Sequence, residues 1–365
     1  QSDYDQQELV FSKKISDVHF SWIKTPKYKN NGLKRIINVF TFGWRFRWVD
    51  LVKDHSHEKP DVIIITSTHP FHIFGGIYYS KKYNAKLICE IRDLWPLSLN
   101  EILGVSTFHP FSILLAWIEK KMYVNANKIV SLLPNTKDYM IQKGMDKEKF
   151  HYIPNGTSLI ESKKQLSKYK DFLFKLKKQH AFILMYTGAI GIPNDMEPIV
   201  DAAAILQNKG LSNISFVIIG EGGTKQVLKD KVEDESINNI HFLDAIPRNE
   251  IQDTLSYSDL LFIGGKNLDL YKFGVSPNKM FEYMLAAKPI MMTISSPNNP
   301  LEQSNAGICL GNNDPNTIAD EIIKYSKLSH KKLEEIGRRG EAYVKKHHLY
   351  DVLAQQYLDI INNAS

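Results

Sequence analysis

The chain has 365 residues, of which 43% are hydrophobic and 24% are charged, and its formal net charge at pH 7 is +6. This length favours two domains, and the composition is ordinary for a folded globular protein. No run of about eighteen apolar residues occurs, which argues against a membrane-spanning helix, and no signal peptide is recognised. Only two cysteines are present, Cys89 and Cys309, in apolar surroundings, so we expect a reducing, cytosolic setting.

A basic and aromatic segment lies between Lys24 and Lys53. Its cations alternate with aromatic residues: Lys24, Lys27, Lys29, Lys34, Arg35, Arg45, Arg47 and Lys53, with Phe40, Phe42, Trp44, Phe46 and Trp48. This mixture suits an anionic membrane surface, where cations meet lipid phosphates and aromatic side chains lie among the headgroups. We favour it over nucleic acid, because no nucleic-acid motif is visible. A solvated basic helix with its aromatic side chains in the core is the third alternative.

Apolar, β-branched runs separated by loops recur along the whole chain. In the first half they lie at 61–67, 86–91, 128–132 and 150–153, and in the second half at 182–188, 215–220, 239–243, 260–263 and 289–292. Such runs are typical of buried parallel strands, and their alternation with helices predicts an α/β protein with two doubly wound sheets. Residues 154–179 are the expected hinge. The first convincing strand lies near Val18–Ile23, so the first strand–helix unit is expected to be shortened or missing.

Glycine-rich loops follow two strands of the second half. Gly188 and Gly191 follow one strand, and Gly220, Glu221 and Gly222 follow the next. Ligands of open α/β sheets collect at the carboxyl ends of strands, and glycine lets backbone N–H groups approach a phosphate there. Neither loop matches the dinucleotide-binding fingerprint, and glycine after a strand is also ordinary turn chemistry.

The segment that begins at Ser276 predicts a helix whose start holds an anion. Ser276 is expected to be the N-cap and Pro277 the first helical residue. Free N–H groups, the helix dipole and Lys279 then stabilise a phosphate ahead of the helix. Glu282 lies four residues after Asn278 on the same face, where a carboxylate serves ribose hydroxyls. We interpret these residues as a nucleotide-diphosphate clamp; the alternative is a capped amphipathic helix with a solvated polar face.

Several motifs, taken in order, resemble the nucleotide-sugar half of retaining glycosyltransferase family 4, which has the GT-B architecture. They lie at 186–188, 217–222, 242–243 with 246–251, and 276–290, while 92–96 and 153–156 resemble the branch that builds bacterial O-antigen, capsule and exopolysaccharide units. The resemblance covers nearly the whole chain. It implies two Rossmann-like domains facing across a cleft: an acceptor-binding domain over 1–157, on which a C-terminal helix at about 345–365 packs back, and a nucleotide-sugar-binding domain over 158–344.

The resemblance also implies the reaction. It is that of a hexosyltransferase-type enzyme, which transfers a sugar with retention from a nucleotide diphosphate sugar and needs no metal or other cofactor. UDP is the expected nucleotide, with an N-acetylated amino sugar as one candidate. The expected acceptor is a saccharide on polyprenyl diphosphate, which would place the enzyme peripherally at the inner face of the cytoplasmic membrane. No Asp-x-Asp motif is present in the nucleotide-sugar half of the chain to carry a divalent metal.

Negative charge builds on the departing β-phosphate, so its stabilisation is the main catalytic demand. Lys279 is the principal candidate, and Arg248 adds to it or holds the nucleotide. The family carries two glutamates with seven residues between them. Glu282 matches the second, but Gly274 occupies the first position, so a donor-sugar contact is expected from the backbone around Gly274 and Val275 or from another side chain.

On the acceptor side, Asp93 follows a strand, where its carboxylate would bind an acceptor hydroxyl or steer its proton. Helix or turn capping is its structural alternative. Arg92 would hold a phosphate or that carboxylate, and Trp95 would stack on a sugar face unless it is a core or rim residue. His69 flanks another strand end as an acceptor-binding candidate, and no zinc-ligand spacing accompanies it.

Two other functions stay open from the sequence. A non-hydrolysing UDP-sugar epimerase shares the two-sheet architecture, although no convincing acid/base pair is visible. A degenerate transferase that acts as a membrane-associated assembly partner is suggested by Gly274 and by the abbreviated first strand–helix unit.

Overall fold

Residues 8–28, 32–49, 59–68, 70–159, 165–179 and 181–363 are described by the computed structural model of this chain. Two units divide the chain: unit 1 comprises Gln1–Ile153 and Tyr357–Ser365, and unit 2 comprises Pro154–Gln356. Each unit contains its own parallel sheet. No helix within the described ranges is both long and apolar enough to span a bilayer.

Unit 1 contains a parallel sheet and a separate pair of antiparallel strands. Its strands are β1 (Val10–Ile15), β2 (Val18–Ile23), β3 (Val62–Thr66), β4 (Lys86–Ile91), β5 (Lys128–Ser131) and β6 (Phe150–Tyr152), and its helices are α1 (Leu33–Phe46), α2 (Ile73–Tyr83), α3 (Leu97–Leu103), α4 (Pro110–Asn125) and α5 (Lys137–Gln142). Strands β3, β4, β5 and β6 are hydrogen-bonded in that order and all run parallel. The inner strands β4 and β5 are almost wholly buried, as a sheet covered on both faces requires.

Strands β1 and β2 form a separate antiparallel pair. The expected strand at Val18–Ile23 is therefore present, but it is a hairpin strand and not part of the parallel sheet. Ile15 pairs with Val18, so only Ser16 and Asp17 connect the strands, and Ser16 has a φ of 54°. A two-residue connection permits only antiparallel pairing, because a parallel neighbour needs a long crossover.

Unit 2 contains a larger sheet. Its strands are β7 (Phe182–Thr187), β8 (Ile214–Ile219), β9 (Ile240–Leu243), β10 (Leu260–Ile263), β11 (Ile290–Met292) and β12 (Gly307–Cys309), and its helices are α6 (Lys170–Lys178), α7 (Glu197–Asn208), α8 (Lys225–Asp234), α9 (Ile251–Ser256), α10 (Asn278–Leu285), α11 (Pro300–Ser304), α12 (Pro315–Ser326) and α13 (His330–His347). A last helix, α14 (Tyr350–Asn362), begins in unit 2 and continues into unit 1.

The six strands of unit 2 are parallel and ordered β12-β11-β10-β7-β8-β9. The chain thus moves outward from β7 on one side and returns through β10 on the other. This doubly wound arrangement confirms the predicted fold. It also puts the topological switch point between β7 and β10, where ligands of such sheets bind at the carboxyl ends of the strands. The loop that starts at Gly188 leaves β7 at this point.

Edge strand β12 was not predicted, since it has three residues and no β-branched run. It depends on a close backbone approach, because a Cβ built at Gly307 would lie 1.8 Å from the carbonyl oxygen of Ile290.

Helix α13 packs through Gly337 against the turn after α10. A Cβ built on Gly337 would lie 1.9 Å from the carbonyl oxygen of Ala287. We predict that Gly337→Ala lowers the free energy of unfolding by about 2 kcal/mol or more, because the two backbones must separate. Helix propensity alone predicts a gain of about 1 kcal/mol. Urea denaturation distinguishes the two.

The matched control is Arg338→Ala at the next position, which is exposed. It should stay within about 0.5 kcal/mol of the wild type. A Gly337→Ala protein as stable as this control would contradict the packing.

Candidate active site

Helix α10 carries three polar side chains toward the carboxyl end of β7. Lys279, Glu282 and Tyr283 share a helix face, because they are spaced by three and four residues. The buried hydroxyl of Tyr283 accepts a hydrogen bond from the backbone N–H of Thr187 at 2.7 Å and lies 3.1 Å from the carbonyl oxygen of Thr187, to which it donates. This tyrosine fixes α10 against the end of β7.

The ammonium group of Lys279 lies beside the loop that follows β7. Its Nζ donates to the hydroxyl oxygen of Tyr186 at 2.6 Å and to Oδ1 of Asn194 at 3.3 Å, and it lies 4.0 Å from the centre of the Tyr186 ring. A Cβ built at Gly188, where φ is +138°, would lie 2.9 Å from the same Nζ. Glycine at 188 therefore leaves the space that the ammonium group occupies.

The electrostatic surroundings of Lys279 are those of a buried cation. No carboxylate in the described parts of the chain forms an ion pair with it, so neutral oxygens and an aromatic ring are its partners. Burial lowers the pKa of Lys279 to about 7, and the more distant carboxylate of Glu282 opposes this shift. A buried amine of this kind gains stability when an anion arrives.

Two other predicted donor-site residues meet beside α10. Nη2 of Arg248 lies 3.3 Å from Oε1 of Glu282. The side chain of Arg248 is 60% exposed and that of Glu282 is 19% exposed. Burial raises the pKa of Glu282, while Arg248 and Lys279 oppose this shift. The structure thus brings Lys279, Gly188, Glu282 and Arg248 together, as the sequence predicts.

The glycines after β8 allow the backbone of the loop after β7 to approach closely. A Cβ at Gly220 would lie 1.8 Å from the carbonyl oxygen of Gly188, and one at Gly222 would lie 2.0 Å from that of Ile190. The space that these two glycines leave is therefore filled by backbone. Gly191 is more open, since Pro193, at 3.8 Å, is the one side chain of the described ranges that comes within 4 Å of a Cβ built there.

The acidic member of that loop, Glu221, is held by an ion pair. Its Oε1 lies 2.8 Å from Nζ of Lys225, which also lies 3.0 Å from Asp244. The Glu221 carboxylate is therefore already paired with the Lys225 ammonium group.

The loop before α10 corrects the expected capping. Pro277 is the N-cap residue, with extended backbone, and Asn278 is the first helical residue. Ser276 does not cap the helix, because its hydroxyl oxygen accepts a hydrogen bond from the backbone N–H of Asn155 at 2.8 Å. Pro277 has no side-chain acceptor to offer the first-turn N–H groups of α10.

Gly274 and Val275, which precede Ser276, have different roles in this loop. Gly274 has φ 109° and ψ 178°, a conformation that glycine adopts and other residues rarely do. The loop is thus shaped around glycine at the position where the resembling family has its first glutamate. The side chain of Val275 is 6% exposed and packs in the core, so its backbone is the part that a ligand would meet.

In unit 1, a buried serine that the sequence did not single out organises the loop after β4. The Ser67 hydroxyl oxygen accepts from the N–H groups of Arg92 and Asp93 at 2.8 and 2.9 Å, and the Ser67 carbonyl accepts from the Trp95 indole at 2.8 Å. Arg92 also lies 3.8 Å from Glu90. The N-cap residue of α3 is Pro96, so Asp93 does not cap this helix.

The candidate His69 lies outside the described residues. In the described ranges, no three His, Cys, Asp or Glu side chains group as metal ligands.

Beneath this loop lies a buried carboxyl group. Glu119 of α4 is 4% exposed, and its two oxygens accept from Tyr123 at 2.9 Å and from Tyr139 at 3.3 Å. It lines a small cavity together with Asp93 and Trp95. Burial raises the pKa of Glu119 to about 7, and the two tyrosine hydrogen bonds oppose this shift.

A larger cavity of about 380 Å³ lies elsewhere in unit 2, among Asp259, Lys288 and Arg338. Asp259 and Lys288 precede β10 and β11, so this cavity is at the amino ends of those strands, opposite to Lys279.

Sequence reasoning missed several residues that build the site. Tyr186 and Asn194 contact Lys279, Tyr283 anchors α10 to Thr187, and Asn155 holds Ser276. Tyr186 and Tyr283 lie within apolar runs, where they are indistinguishable from core aromatics. Asn155 was noted only within a motif of the resembling family.

Comparison with known proteins matches both units. The family described as Glycosyltransferase Family 4 matches residues 12–160, and that described as Glycosyl transferases group 1 matches residues 168–343. No curated protein matches the chain by sequence.

Solved structures share the fold. HepE of Anabaena, in complex with UDP-glucose, gives a TM-score of 0.65 at 15% identity over 92% of this chain and 84% of its own. Sucrose-phosphate synthase of Thermosynechococcus elongatus gives 0.70 at 12% identity over 98% and 86%. A glycosyltransferase of Rickettsia africae gives 0.64 at 14% identity over 92% and 84%.

Two Rossmann-like α/β units with these matches define a glycosyltransferase of GT-B architecture. The expected fold and enzyme class are thereby confirmed. Residues 12–160 carry its Glycosyltransferase Family 4 domain, and residues 168–343 carry its Glycosyl transferases group 1 domain.

Glu119 makes stability depend on pH. The unfolded chain releases this proton near the ordinary value of 4.5, whereas the folded protein holds it to about 7. Between these values the folded state binds more protons, so the free energy of unfolding falls as pH rises. We predict that Glu119→Gln removes this slope, worth up to about 3 kcal/mol. Urea denaturation across the window measures it.

The control is Glu148→Gln, since the Glu148 side chain is 82% exposed. This variant should keep the wild-type slope. An unchanged slope in Glu119→Gln would show that the carboxyl group is not buried as described.

Proposed function

We propose that this glycosyltransferase is a retaining, metal-independent enzyme that uses a nucleotide diphosphate sugar, with UDP as the nucleotide. Its acceptor is a saccharide on polyprenyl diphosphate at the inner face of the cytoplasmic membrane, in bacterial surface polysaccharide assembly. The buried ammonium group of Lys279, which has neutral partners beside Gly188, carries the donor part of this proposal. HepE of Anabaena in complex with UDP and glucose supports UDP as the nucleotide.

Each residue of the proposed donor site has a distinct role. The diphosphate lies ahead of α10, where Lys279 and the uncapped N–H groups of the first turn stabilise charge on the leaving β-phosphate. Glu282 accepts hydrogen bonds from ribose hydroxyls, and Arg248 holds that side chain in place. The backbone of Gly274 and Val275 meets the sugar.

The acceptor residues belong to unit 1. Ser67 fixes the backbone at Asp93 from both sides, since its hydroxyl also donates to the Asp93 carbonyl oxygen at 3.0 Å. A backbone held in this way gives the exposed Asp93 carboxylate a defined position for an acceptor hydroxyl. Arg92 provides positive charge for the acceptor diphosphate.

The membrane part of the proposal is supported by an apolar stripe along α1. Leu33, Ile37, Phe40, Trp44 and Trp48 recur every three or four residues and are each at least 47% exposed. The alternative in which these aromatic residues lie in the core therefore fails for both tryptophans. The exposed cations of the same helix suit anionic headgroups.

Helix α4 extends this stripe. Phe40 contacts Phe71 with ring centres 5.2 Å apart, and Phe71 contacts Phe111 at 6.3 Å. Next to Phe111, Phe108 is 86% exposed, and Trp117 of the same helix is 48% exposed. Exposed apolar side chains thus occur at both helices, as the interfacial region of a bilayer would accommodate.

The experiment for the donor site uses Lys279. With a pKa of about 7, the free amine is largely neutral at about pH 8, and a bound diphosphate raises that pKa. We predict that UDP binding there takes up a proton, measured calorimetrically in buffers of different ionisation enthalpy. Lys279→Met should abolish the uptake and raise the barrier to turnover of a UDP-sugar by about 2–4 kcal/mol.

The matched control is Lys231→Met. This lysine belongs to the same unit but is ion-paired with Asp201 at 2.5 Å and Glu197 at 3.0 Å. It should bind UDP as the wild type does. Unchanged turnover in Lys279→Met would remove this residue from the mechanism. Conversion of the donor without acceptor would identify an epimerase, and no binding of any nucleoside diphosphate would favour the degenerate assembly partner.

For the membrane surface, we predict that Trp44→Glu with Trp48→Glu weakens sedimentation with anionic vesicles by about tenfold or more, because two apolar side chains leave the interface. Wild-type binding should also fall on adding salt. Val227→Glu is the control, since Val227 is equally exposed, at 67%, but lies in unit 2. Equal binding by both variants, or equally strong wild-type binding to neutral vesicles, would contradict the proposal.

A further inference from the structure

The segment in which the chain enters unit 2 contacts the loop before α10. The first segment of unit 1 ends at Ile153, and Asn155 is the second residue of unit 2. The Asn155 backbone N–H donates to Oγ of Ser276 at 2.8 Å, and its side-chain Nδ2 donates to the Ser276 carbonyl oxygen at 2.6 Å. Two hydrogen bonds between one pair of residues fix both distance and orientation, so Ser276 has little freedom to move.

The same segment is also joined to the one through which the chain leaves unit 2. The backbone N–H of Thr157 donates to the His348 carbonyl oxygen at 2.8 Å, and that of Tyr350 donates to the Thr157 carbonyl oxygen at 2.9 Å. A Cβ on Gly156 would lie 2.3 Å from the His348 carbonyl oxygen. Close backbone pairing therefore connects the entering and leaving segments, and it requires glycine at 156.

His348 brings the leaving segment onto α10 itself. Its ring is 4% exposed and stacks on Phe281 of α10 with centres 4.3 Å apart. Burial lowers the pKa of His348 to about 4, so the imidazole is neutral at physiological pH. Its Nδ1 lies 3.2 Å from the Asn155 carbonyl oxygen, where a neutral ring donates if its proton is on Nδ1.

We infer that Asn155 is a positioning residue of the donor site. It ties Ser276, and with it the start of α10, to both segments through which the chain passes between its units. Nucleotide binding at α10 therefore also stabilises those segments, since a coupling between two sites acts in both directions. The inference rests on the proposed function, because it takes the start of α10 as the diphosphate site.

The chemistry requires an amide at this position. The Ser276 carbonyl oxygen needs a donor, which Nδ2 supplies. A carboxylate at 155 would place oxygen against oxygen, and leucine would fill a similar volume without donating. Asn155→Asp and Asn155→Leu therefore both break the tie, one by repulsion and one by loss of the donor.

Asn239→Leu is the matched control. The Asn239 Nδ2 donates to the Ala203 carbonyl oxygen at 2.9 Å, so the same kind of bond is lost in the same unit. Asn239 precedes β9, at the amino ends of the strands and away from α10. A purely structural effect of losing one amide is thus present in both variants.

The first readout is UDP affinity by calorimetry. We expect Asn155→Leu to bind UDP about tenfold more weakly than the control, a difference of about 1.4 kcal/mol. Asn155→Asp should be weakened at least as much. Equal affinity of Asn155→Leu and Asn239→Leu for UDP would overturn the inference.

The second readout is amide hydrogen exchange followed by mass spectrometry. In the wild type and in Asn239→Leu, UDP should slow exchange at 154–158 and 347–351 as well as at the start of α10. In Asn155→Leu, UDP should slow exchange at α10 alone. Retained protection of 154–158 and 347–351 in Asn155→Leu would overturn the coupling.

Exchange without nucleotide separates this inference from the proposed function. Amides at 276–280 should exchange faster in Asn155→Leu than in Asn239→Leu, whether or not UDP binds. If the wild type binds no UDP, the proposed function is wrong. The positioning of Ser276 by Asn155 is then tested by this comparison alone. Equal exchange rates at 276–280 in the two variants would overturn the inference.

Discussion

The burial of one ammonium group, which has no carboxylate partner among the described residues, is the constraint on which the proposed donor site depends. A buried cation is costly unless it is hydrogen-bonded or paired, and Lys279 finds a hydroxyl, an amide oxygen and an aromatic face. Each partner is itself fixed, since the Tyr186 hydroxyl donates to the Ala189 carbonyl oxygen at 2.5 Å and Tyr283 anchors α10 to β7. Neutral partners leave the positive charge uncompensated, so the site is prepared for an anion.

The topology of unit 2 explains why this charge lies where it does. Strands β7 and β10 are neighbours in the sheet, although the chain reaches β10 only after completing β8 and β9 on the other side. The connections therefore diverge at this point and leave the carboxyl ends of both strands accessible. Gly188 and Gly220 then bring two loops into backbone contact, with the Gly188 N–H donating to the Ile219 carbonyl oxygen at 2.9 Å. The surface beside Lys279 is therefore formed mainly by backbone atoms of these two loops.

Sequence patterns predicted the parts of this arrangement that have a local signature. Parallel strands buried on both faces read as continuous apolar runs, which is why β7 and β8 could be recognised. A lysine just inside a helix that follows a loop is similarly visible. Contacts between distant positions leave no such trace: Asn155 and Ser276 are 121 residues apart, and neither lies in a periodic element. Glu119 reads as a solvated helix residue, because only the tertiary packing buries it.

Burial shifts the pKa of Glu119 in unit 1 and the pKa of Lys279 in unit 2 in opposite directions. For Glu119 it makes the folded state hold a proton up to about pH 7, so the stability that this group contributes falls as pH rises from 4.5. For Lys279 the folded state releases its proton near 7 and the unfolded chain only near 10.5, so stability falls as pH drops through that window. Both costs are thus present around neutral pH, where the enzyme must work. An anion bound at Lys279 relieves the second cost, because it restores the charged form inside the site. In the proposed function, the stability that unit 2 gives up without a ligand is converted into affinity for the diphosphate, which would explain a lysine at this buried position instead of an apolar residue.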